Sequence, residues 1–138
     1  EVECYDYGYP GATYHDTTEG NSGKGFYRSD DVDIVSKKGR HRVTNTKAGE
    51  WLEYSVDIKQ TGTYMVSVTY AGTRAGAIRI ERSGQTLVDS TSLKPTGAMD
   101  RYESVRVGEV RLEAGRQVLR LHIKQGGMQL DHFTIRAN

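Results

Sequence analysis

The chain has 138 residues, 36% of them apolar, which suits one folded domain over 1–138 with a single core. Its 19 basic and 18 acidic residues leave a formal net charge of +1, which argues against a nonspecific nucleic-acid binder and against an acidic disordered chain. Sixteen glycines, two prolines and nine tyrosines are typical of many short strands joined by tight turns.

The cysteine content and the hydropathy restrict the class of protein further. Cys4 is the only cysteine, so an intrachain disulfide and a zinc site built from several thiolates are excluded. No run approaches the ~20 apolar residues of a membrane span, and no signal-peptide pattern opens the chain. We therefore expect a mature or excised segment, and the cysteine content leaves its compartment open.

Residues 1–43 are less regular and more polar than the rest, and the first 33 carry eight of the 18 acidic but only two of the 19 basic side chains. Glu1 and Glu3 stand two residues apart, so in an extended strand both carboxylates would project from one face, where uncompensated like charges are destabilising. We expect a partner to neutralise them. The stretch 37–47 is the densest basic segment, and a solvated loop is its ordinary interpretation.

From residue 51 onward, apolar side chains recur with a period of two. The even-numbered positions in 52–58 are apolar and alternate with polar ones, which predicts a strand with one buried face. After a turn at 60–62 the alternation resumes over 64–70, and we expect the two strands to pair as a hairpin. In this pattern Trp51 and Tyr54 are interpreted as core aromatics rather than as plates for a sugar.

Further short apolar runs, separated by glycines, follow to the end of the chain. None recurs at the i, i+3, i+4, i+7 spacing over the length that a stable helix requires, so helical bundles and alternating α/β folds are disfavoured. Strands at this spacing are typical of an all-β domain. At this length we predict a two-sheet β-sandwich with jelly-roll topology.

One carboxylate near the C-terminus falls among residues that face the core. Asp131 shares the parity of Phe133 and Ile135, and an unpaired charge at a core-facing position is costly. A hard cation bound by oxygens would satisfy Asp131 together with Glu1 and Glu3 if the first and last strands are neighbours. A salt bridge to an arginine is the alternative.

The sequence offers little that could support catalysis. The histidines show no metalloprotease spacing, and neither a Gly-x-Ser-x-Gly elbow nor a phosphate-binding glycine loop occurs. Glu50 with Glu53, or Asp30 with Asp31, could form a glycosidase pair in principle, but adjacent residues of a strand point to opposite faces. We expect no enzymatic activity.

Five sequence blocks occur in order along the chain: EVECYDY at 1–7, ATYHD at 12–16, YRSDDVDI at 27–34, AGEWLEY at 48–54 and GGMQLDHFTI at 126–135. Together, and at matching intervals, they resemble a family 6 carbohydrate-binding module from end to end. The resemblance implies a noncatalytic jelly roll that holds a covalently linked, secreted or cell-surface glycoside hydrolase against a polysaccharide. We expect a monomer with no nucleic-acid or membrane partner.

The resemblance also implies a structural Ca²⁺ ion. In the family, the two acids of an opening Glu-x-Glu and an Asp near the C-terminus bind the ion, and these roles fall on Glu1, Glu3 and Asp131. They are the same three carboxylates that lack a partner in the sequence pattern.

The carbohydrate site implied by the resemblance is atypical in this chain. Family members usually bind glycan at the edge of the sandwich, between two aromatic residues and an Asn, and matching intervals place these roles on His41, Met99 and Gln129. A sugar's apolar C–H face packs well on an aromatic ring, and an amide orients the ring by paired hydrogen bonds. Imidazole, thioether and the longer amide retain part of this capacity.

Two explanations of the altered edge remain open. In the favoured one, the site accepts an anionic glycan bearing sulfate or uronate groups, bound by the nearby Arg40, Arg42 and Arg101. In the other, sugar binds elsewhere, such as the concave sheet face used by some relatives, or does not bind. The competing function is a structural spacer within a multidomain glycoside hydrolase, without glycan affinity.

Overall fold

The computed structural model describes residues 1–25 and 27–138, and strands dominate it. One 3-10 turn, Val2–Cys4, precedes the strands. In chain order the strands are β1 Tyr14–His15, β2 Ile34–Lys37, β3 Arg40–Val43, β4 Trp51–Ile58, β5 Gly62–Gly72, β6 Gly76–Arg82, β7 Gln85–Leu93, β8 Glu103–Leu112, β9 Gly115–Gln125 and β10 Met128–Ala137. Within the described ranges, no helix has the length and apolar character needed to cross a bilayer.

The strands form two antiparallel five-stranded sheets. The first has the order β1-β4-β9-β6-β7 and the second the order β2-β3-β10-β5-β8. The predicted all-β, two-sheet sandwich with jelly-roll architecture is therefore confirmed.

The predicted hairpin between the alternating runs at 52–58 and 64–70 is wrong. β4 pairs with β1 and β9 in the first sheet, whereas β5 pairs with β10 and β8 in the second. The turn between β4 and β5 thus carries the chain from one sheet to the other. The alternating pattern specifies which face of each strand is buried but not which strand it pairs with. Here the two buried faces meet across the core between the sheets.

One apolar cluster fills the space between the sheets. Leu52 and Tyr54 of β4 and Val66 and Val68 of β5 belong to this cluster, and all four are buried. The Tyr54 ring meets Phe133 of β10 edge to face, with centroids 4.9 Å apart. Each fully buried aliphatic side chain contributes about 1.5–3 kcal/mol to stability. The interpretation of Tyr54 as a core aromatic therefore agrees with the structure.

The opening residues form a turn rather than the extended strand expected for them. Val2 is fully buried within the 3-10 turn, and its carbonyl oxygen accepts a hydrogen bond from the Tyr54 hydroxyl at 2.7 Å. The turn contacts β3 and β10. Anchoring of Val2 in the core keeps Glu1 and Glu3 beside β3 and the last strand of the second sheet.

Strand β10 contains a bulge at Asp131, where its register against β5 shifts between Leu130 and His132. Before the bulge, Leu130 faces the core; after it, the odd-numbered Phe133 and Ile135 pack against the core. The extra residue redirects its own side chain. Asp131 is consequently buried at the end of the sheet where β3 and the 3-10 turn lie.

Part of the basic segment 37–47 is a hairpin and not a loop. β2 and β3 pair through the turn Lys38–Gly39, whose residues have φ values of 53° and 74°. Positive φ at both central residues is the geometry of a two-residue type I′ turn, which suits the twist of paired strands. The hairpin fixes the faces on which the basic side chains lie.

Candidate functional site

Of the three residues that the family resemblance assigns to the edge site, two line one cavity. Met99, in the turn before β8, and Gln129 of β10 share a cavity of about 310 Å³ with Arg42, Tyr102, Lys37 and Asp100. The Tyr102 hydroxyl donates to Gln129 Oε1 at 2.5 Å, and the Arg42 guanidinium carbon lies 4.4 Å from the Tyr102 ring centroid. We call this the edge cavity. Tyr102 belongs to it although sequence reasoning did not select it.

The position of Gln129 depends on the glycines that precede β10. A Cβ atom at Gly126 would overlap the carbonyl oxygen of Thr46, and Gly127 has a φ of 90°. The Gly127 amide donates to the same Thr46 oxygen at 2.8 Å, and the Thr46 hydroxyl donates to the Met128 carbonyl at 2.9 Å. These contacts fix the start of β10 against the loop between β3 and β4.

The third predicted residue, His41, lies apart from the edge cavity. Strand neighbours point to opposite faces, and Arg42 faces the cavity, so His41 projects from the other face of the β2–β3 hairpin. There Nδ1 of His41 is 2.7 Å from Ser36 Oγ, and its ring stacks on Tyr27 with centroids 4.5 Å apart. The structure therefore brings Met99 and Gln129 together but separates them from His41.

Cationic side chains surround the edge cavity. An adjoining cavity of about 240 Å³ is lined by Lys37, Lys38, Arg40, Arg42 and Tyr102, with Asp100 as its acidic member. Lys37 Nζ is 3.9 Å from Asp100 Oδ2, and both side chains are exposed, so this pair is weak. Positive charge therefore exceeds negative charge around both cavities.

The three arginines predicted to bind an anionic glycan differ in their contacts. Arg40 Nη2 donates to Asp131 Oδ2 at 2.7 Å, and Arg42 Nε donates to Asp131 Oδ1 at 3.1 Å. Arg101 extends into solvent, with Nε 3.8 Å from Glu103 Oε1, and lies outside the residues that line the two cavities. Arg40 and Arg42 thus bind the buried carboxylate of Asp131 and also line the cavities.

Carboxylates from the two ends of the chain meet beside β10. Ligand atoms of Glu1, Asp131 and His132 lie within 4.8 Å of one another. Glu3 is buried, and within the described residues its Oε2 has no hydrogen-bond partner. Burial raises the pKa of Glu3, a backbone hydrogen bond opposes this rise, and the negative charges of Glu1 and Asp131 add to it.

Glu1, Asp131 and His132 offer ligand atoms close enough together to share one cation, whereas the predicted ligand Glu3 lies outside this group. The unpartnered Oε2 of Glu3 requires positive charge or a donor, and carboxylate oxygens are the ligands that Ca²⁺ prefers. Asp131 also contacts the arginines and His132 Nδ1, yet each carboxylate oxygen has more than one lone pair. His132, which sequence reasoning did not select, adds an imidazole to this cluster.

The outer face of the first sheet carries Trp51, whose interpretation as a core residue is wrong. Its parity is opposite to that of buried Leu52 and Tyr54, and its side chain is half-buried on the outer face. The Arg120 guanidinium carbon lies 3.8 Å from the Trp51 ring centroid, and Arg120 Nε and Nη2 both donate to Glu53 Oε1, at 3.0 and 2.7 Å. The indole is therefore held rigidly.

The remainder of this outer face is charged but balanced. Nε2 of His122 is 2.7 Å from Glu81 Oε2, and Glu81 also pairs with Arg79. Burial lowers the pKa of His122, and the Glu81 carboxylate opposes this effect. A cavity of about 320 Å³ lies here between Glu53, Glu81 and Arg120. With Arg79 paired to Glu81 and Arg120 paired to Glu53, the charges around this cavity compensate one another, in contrast to the edge cavity.

The acids considered for catalysis are held in structural contacts. Glu50 is buried, and it accepts hydrogen bonds from the Thr17 hydroxyl at 2.7 Å and from the Lys47 amide at 2.8 Å. Asp30 accepts from the Tyr5 hydroxyl at 2.5 Å and from Arg28.

Comparison with solved structures supports the same architecture. The C-terminal family 6 module of a marine laminarinase from Zobellia galactanivorans is 22% identical, with a TM-score of 0.70 over 88% of this chain and 99% of that one. A Clostridium stercorarium module in complex with cellobiose is 19% identical, with a TM-score of 0.71 over 99% and 91%. The module of Cellvibrio mixtus lichenase 5A in complex with cellotriose is 22% identical, with a TM-score of 0.67 over 78% and 86%.

The family follows from a match to the sequence itself. No curated protein matches this chain. A family model, described as carbohydrate binding module (family 6), matches residues 17–137, which is most of the chain. The chain therefore belongs to family 6 of the carbohydrate-binding modules.

Proposed function

We propose that this carbohydrate-binding module is noncatalytic and holds an appended, secreted or cell-surface glycoside hydrolase against a polysaccharide through the edge cavity. The observation that carries the proposal is the convergence of Met99, Gln129, Arg42 and Tyr102 on one cavity of about 310 Å³. This volume lies at the lower end of the range of small-ligand sites. Two of the similar modules belong to a laminarinase and a lichenase, which supports the link to a hydrolase.

Each side chain of the edge cavity has a role in this proposal. The Met99 thioether packs on the C–H face of a sugar, where a polarisable group adapts to an irregular surface. Gln129 uses its carbonyl oxygen to accept from Tyr102, which leaves its amide NH₂ to donate to a sugar hydroxyl. Arg42 stacks on Tyr102 and directs its remaining donors toward a sugar oxygen or an anionic substituent.

The charge around the cavity favours an anionic glycan. Lys37, Lys38 and Arg40 border it, and Asp100 and Asp131 balance only part of their charge. Sulfate and uronate groups accept charge-assisted hydrogen bonds from such a set of donors. We therefore propose a sulfated or uronate-bearing polysaccharide as the ligand.

Affinity electrophoresis tests this proposal with two anionic polysaccharides, carrageenan and polygalacturonate, and two neutral ones, barley β-glucan and xylan. We expect retardation by an anionic gel that weakens as NaCl rises from 0.05 to 0.5 M, because exposed charges are screened within about 10 Å at 0.1 M. Met99→Ala with Gln129→Ala, and separately Lys38→Ala, should reduce it. Lys124→Ala, which removes an exposed lysine of β9, is the matched control.

Three outcomes would count against the proposal in different ways. Retardation that is independent of salt would remove the anionic ligand. Retardation that survives in the Met99→Ala, Gln129→Ala variant would move the site away from the edge cavity. Migration unchanged in every gel would instead favour the structural spacer without glycan affinity.

The outer face of the first sheet is a second candidate for carbohydrate binding. The half-buried indole of Trp51, immobilised by Arg120, is the observation that favours it, since a rigid aromatic ring stacks on a sugar at low entropic cost. Trp51→Ala would abolish glycan retention if this face binds, and would leave it unchanged if the edge cavity does.

We also propose that Glu1, Glu3 and Asp131 bind a structural Ca²⁺ ion. When bound, the ion supplies positive charge to the unpartnered carboxylate of Glu3 and links the 3-10 turn to β10. The edge cavity is lined by other residues. The ion therefore stabilises the fold and has no contact with the carbohydrate.

A further inference from the structure

Three exposed tyrosines of the N-terminal segment stand out on the surface. Tyr7 is 85% exposed, Tyr9 72% and Tyr27 41%. The remaining exposed large apolar side chain of the described residues is Val118. Clustered exposed aromatic rings mark binding surfaces more often than scattered ones do. The family model begins at residue 17, so Tyr7 and Tyr9 lie outside the matched region.

The Tyr7 ring is supported by an immobilised cation. The Arg28 guanidinium carbon lies 4.3 Å from the Tyr7 ring centroid and 3.6 Å from that of buried Tyr5. Arg28 also donates to the Tyr5 carbonyl at 2.5 Å and to Asp30 Oδ2 at 2.9 Å, and its side chain is only 3% exposed. Because one ring face of Tyr7 rests on this fixed group, the ring is preorganised while most of its surface stays in solvent.

The Tyr27 ring is supported in the same way by a neighbouring imidazole. His41 stacks on it at 4.5 Å, with an interplanar angle of 28°. The Tyr27 hydroxyl lies 3.4 Å from Cys4 Sγ, and this hydrogen bond raises the pKa of Tyr27 to about 12. The phenol is therefore neutral at physiological pH.

Tyr7 and Tyr27 line one cavity of about 660 Å³, roughly twice the volume of the edge cavity. Lys24, Ser29 and Asp30 supply donors and an acceptor at its wall. Arg28 also lines this cavity and pairs with Asp30, so its wall carries one cation in excess, Lys24, whereas four cations and one acid line the two cavities at the edge. The combination of two supported aromatic rings with few charged groups suits a polar ligand that has apolar faces and no net charge.

From this arrangement we propose that Tyr7 and Tyr27 form a second carbohydrate site, which binds uncharged pyranose units of an oligosaccharide and is independent of the edge cavity. The C–H face of one pyranose stacks on the solvent-facing side of Tyr7, and the next unit packs on Tyr27. Hydroxyl groups of the sugar bond to Ser29, Lys24 and Asp30. The backing by Arg28 and His41 removes the entropy cost of ordering the two rings on binding.

Isothermal titration calorimetry with cellohexaose, laminarihexaose, xylohexaose and mannohexaose tests this site. We expect at least one of these neutral hexasaccharides to bind, with an affinity that is unchanged between 0.05 and 0.5 M NaCl. Tyr7→Ala with Tyr27→Ala should weaken it at least tenfold, whereas Tyr7→Phe, which retains the ring, should preserve it. Tyr9→Ala is the matched control, because Tyr9 is exposed but does not line the cavity.

The outcomes separate this site from the edge cavity. Binding that persists in the Tyr7→Ala, Tyr27→Ala variant, or no binding of any of the four hexasaccharides, would overturn the second site and leave the edge proposal intact. Loss of anionic-polysaccharide retention in the Met99→Ala, Gln129→Ala variant, with neutral hexasaccharide binding unchanged, would support both sites. Equal melting temperatures of the wild type and the Tyr7→Ala, Tyr27→Ala variant exclude a folding defect as the cause of lost binding.

Discussion

Gly126 packs directly against the backbone of the loop that precedes β4. The space that its Cβ would need is occupied by the carbonyl of Thr46, which also accepts the hydrogen bond from the Gly127 amide. Backbone atoms cannot rotate away as the end of a long side chain can. The close approach therefore requires glycine, and it determines where β10 begins and where Gln129 enters the edge cavity.

We expect Gly126→Ala to lower the free energy of unfolding by about 1–3 kcal/mol, the usual cost of overpacking, and to reduce glycan binding at the edge cavity. Gly62→Ala is the control, because a Cβ there would lie 3.8 Å from the Tyr64 ring, an ordinary contact. Urea denaturation of both variants measures the difference. Equal stability of the two variants would contradict a structural requirement at Gly126.

The alternation of side chains between the two faces of a strand already determines on which face two of the candidate site residues lie. Because even positions of β4 are core positions, the odd-numbered Trp51 had to lie on the outer face, and the same rule separates His41 from Arg42. The stacking of Trp51 with Arg120 and of His41 with Tyr27 joins segments that are distant in sequence. Spacing along the chain carries no signal for such contacts.

At the scale of elements, the β2–β3 hairpin and the bulged strand β10 stabilise each other through one buried carboxylate. Asp131 receives a guanidinium from Arg40 and another from Arg42, across more than 85 residues of sequence. Side-chain exposure is 56% for Arg40 but only 13% for Arg42. The more buried pair is less screened by water and contributes more to stability.

We expect Arg42→Met to destabilise the module by about 1–3 kcal/mol, because it removes a charged hydrogen bond from a buried acceptor while retaining the apolar stem of the side chain. Arg40→Met removes a largely exposed partner and should cost clearly less. Guanidinium titrations of the two variants test this order. A larger loss for Arg40→Met would mean that Asp131 depends mainly on the exposed arginine.

Sequence alternation predicted the existence of most strands and their buried faces but not their partners. The same alternating pattern is expected whether β4 and β5 are neighbours in one sheet or lie in opposite sheets, because each strand buries one apolar face in both cases. In the structure they lie in opposite sheets. The opening Glu-x-Glu was likewise compatible with a strand. Burial of Val2 against the Tyr54 hydroxyl, a tertiary contact, selects the 3-10 turn instead.

At the scale of the whole molecule, the acids and bases that are segregated in sequence do not simply neutralise one another. Several acids of the N-terminal segment accept hydrogen bonds locally: Asp16 from Thr18, Asp31 from the Gly20 amide and Asp33 from Ser22. These acids therefore form contacts within their own loops and do not neutralise the basic side chains of the β2–β3 hairpin. The remaining excess of positive charge there is the physical basis of the proposed anionic ligand.

The two ends of the chain meet where ligand atoms of Glu1 and Asp131 lie within 4.8 Å of each other, with buried Glu3 nearby, so a cation there would act on the stability of the entire fold. Ca²⁺ that binds only the folded state adds about 2.7 kcal/mol at a concentration one hundred times its Kd, which raises Tm by roughly 8 °C for a domain of this size. We expect this rise when millimolar CaCl₂ replaces EDTA in a thermal melt of the wild-type module. Glu3→Gln should abolish this rise in Tm, whereas Glu19→Gln, at an exposed acid, should leave it unchanged.

In EDTA the Glu3→Gln variant should be at least as stable as the wild type, because the substitution removes a buried, unpartnered charge. If CaCl₂ left the Tm of the wild type unchanged, Arg40 and Arg42 alone would neutralise the carboxylates at this end of the sandwich.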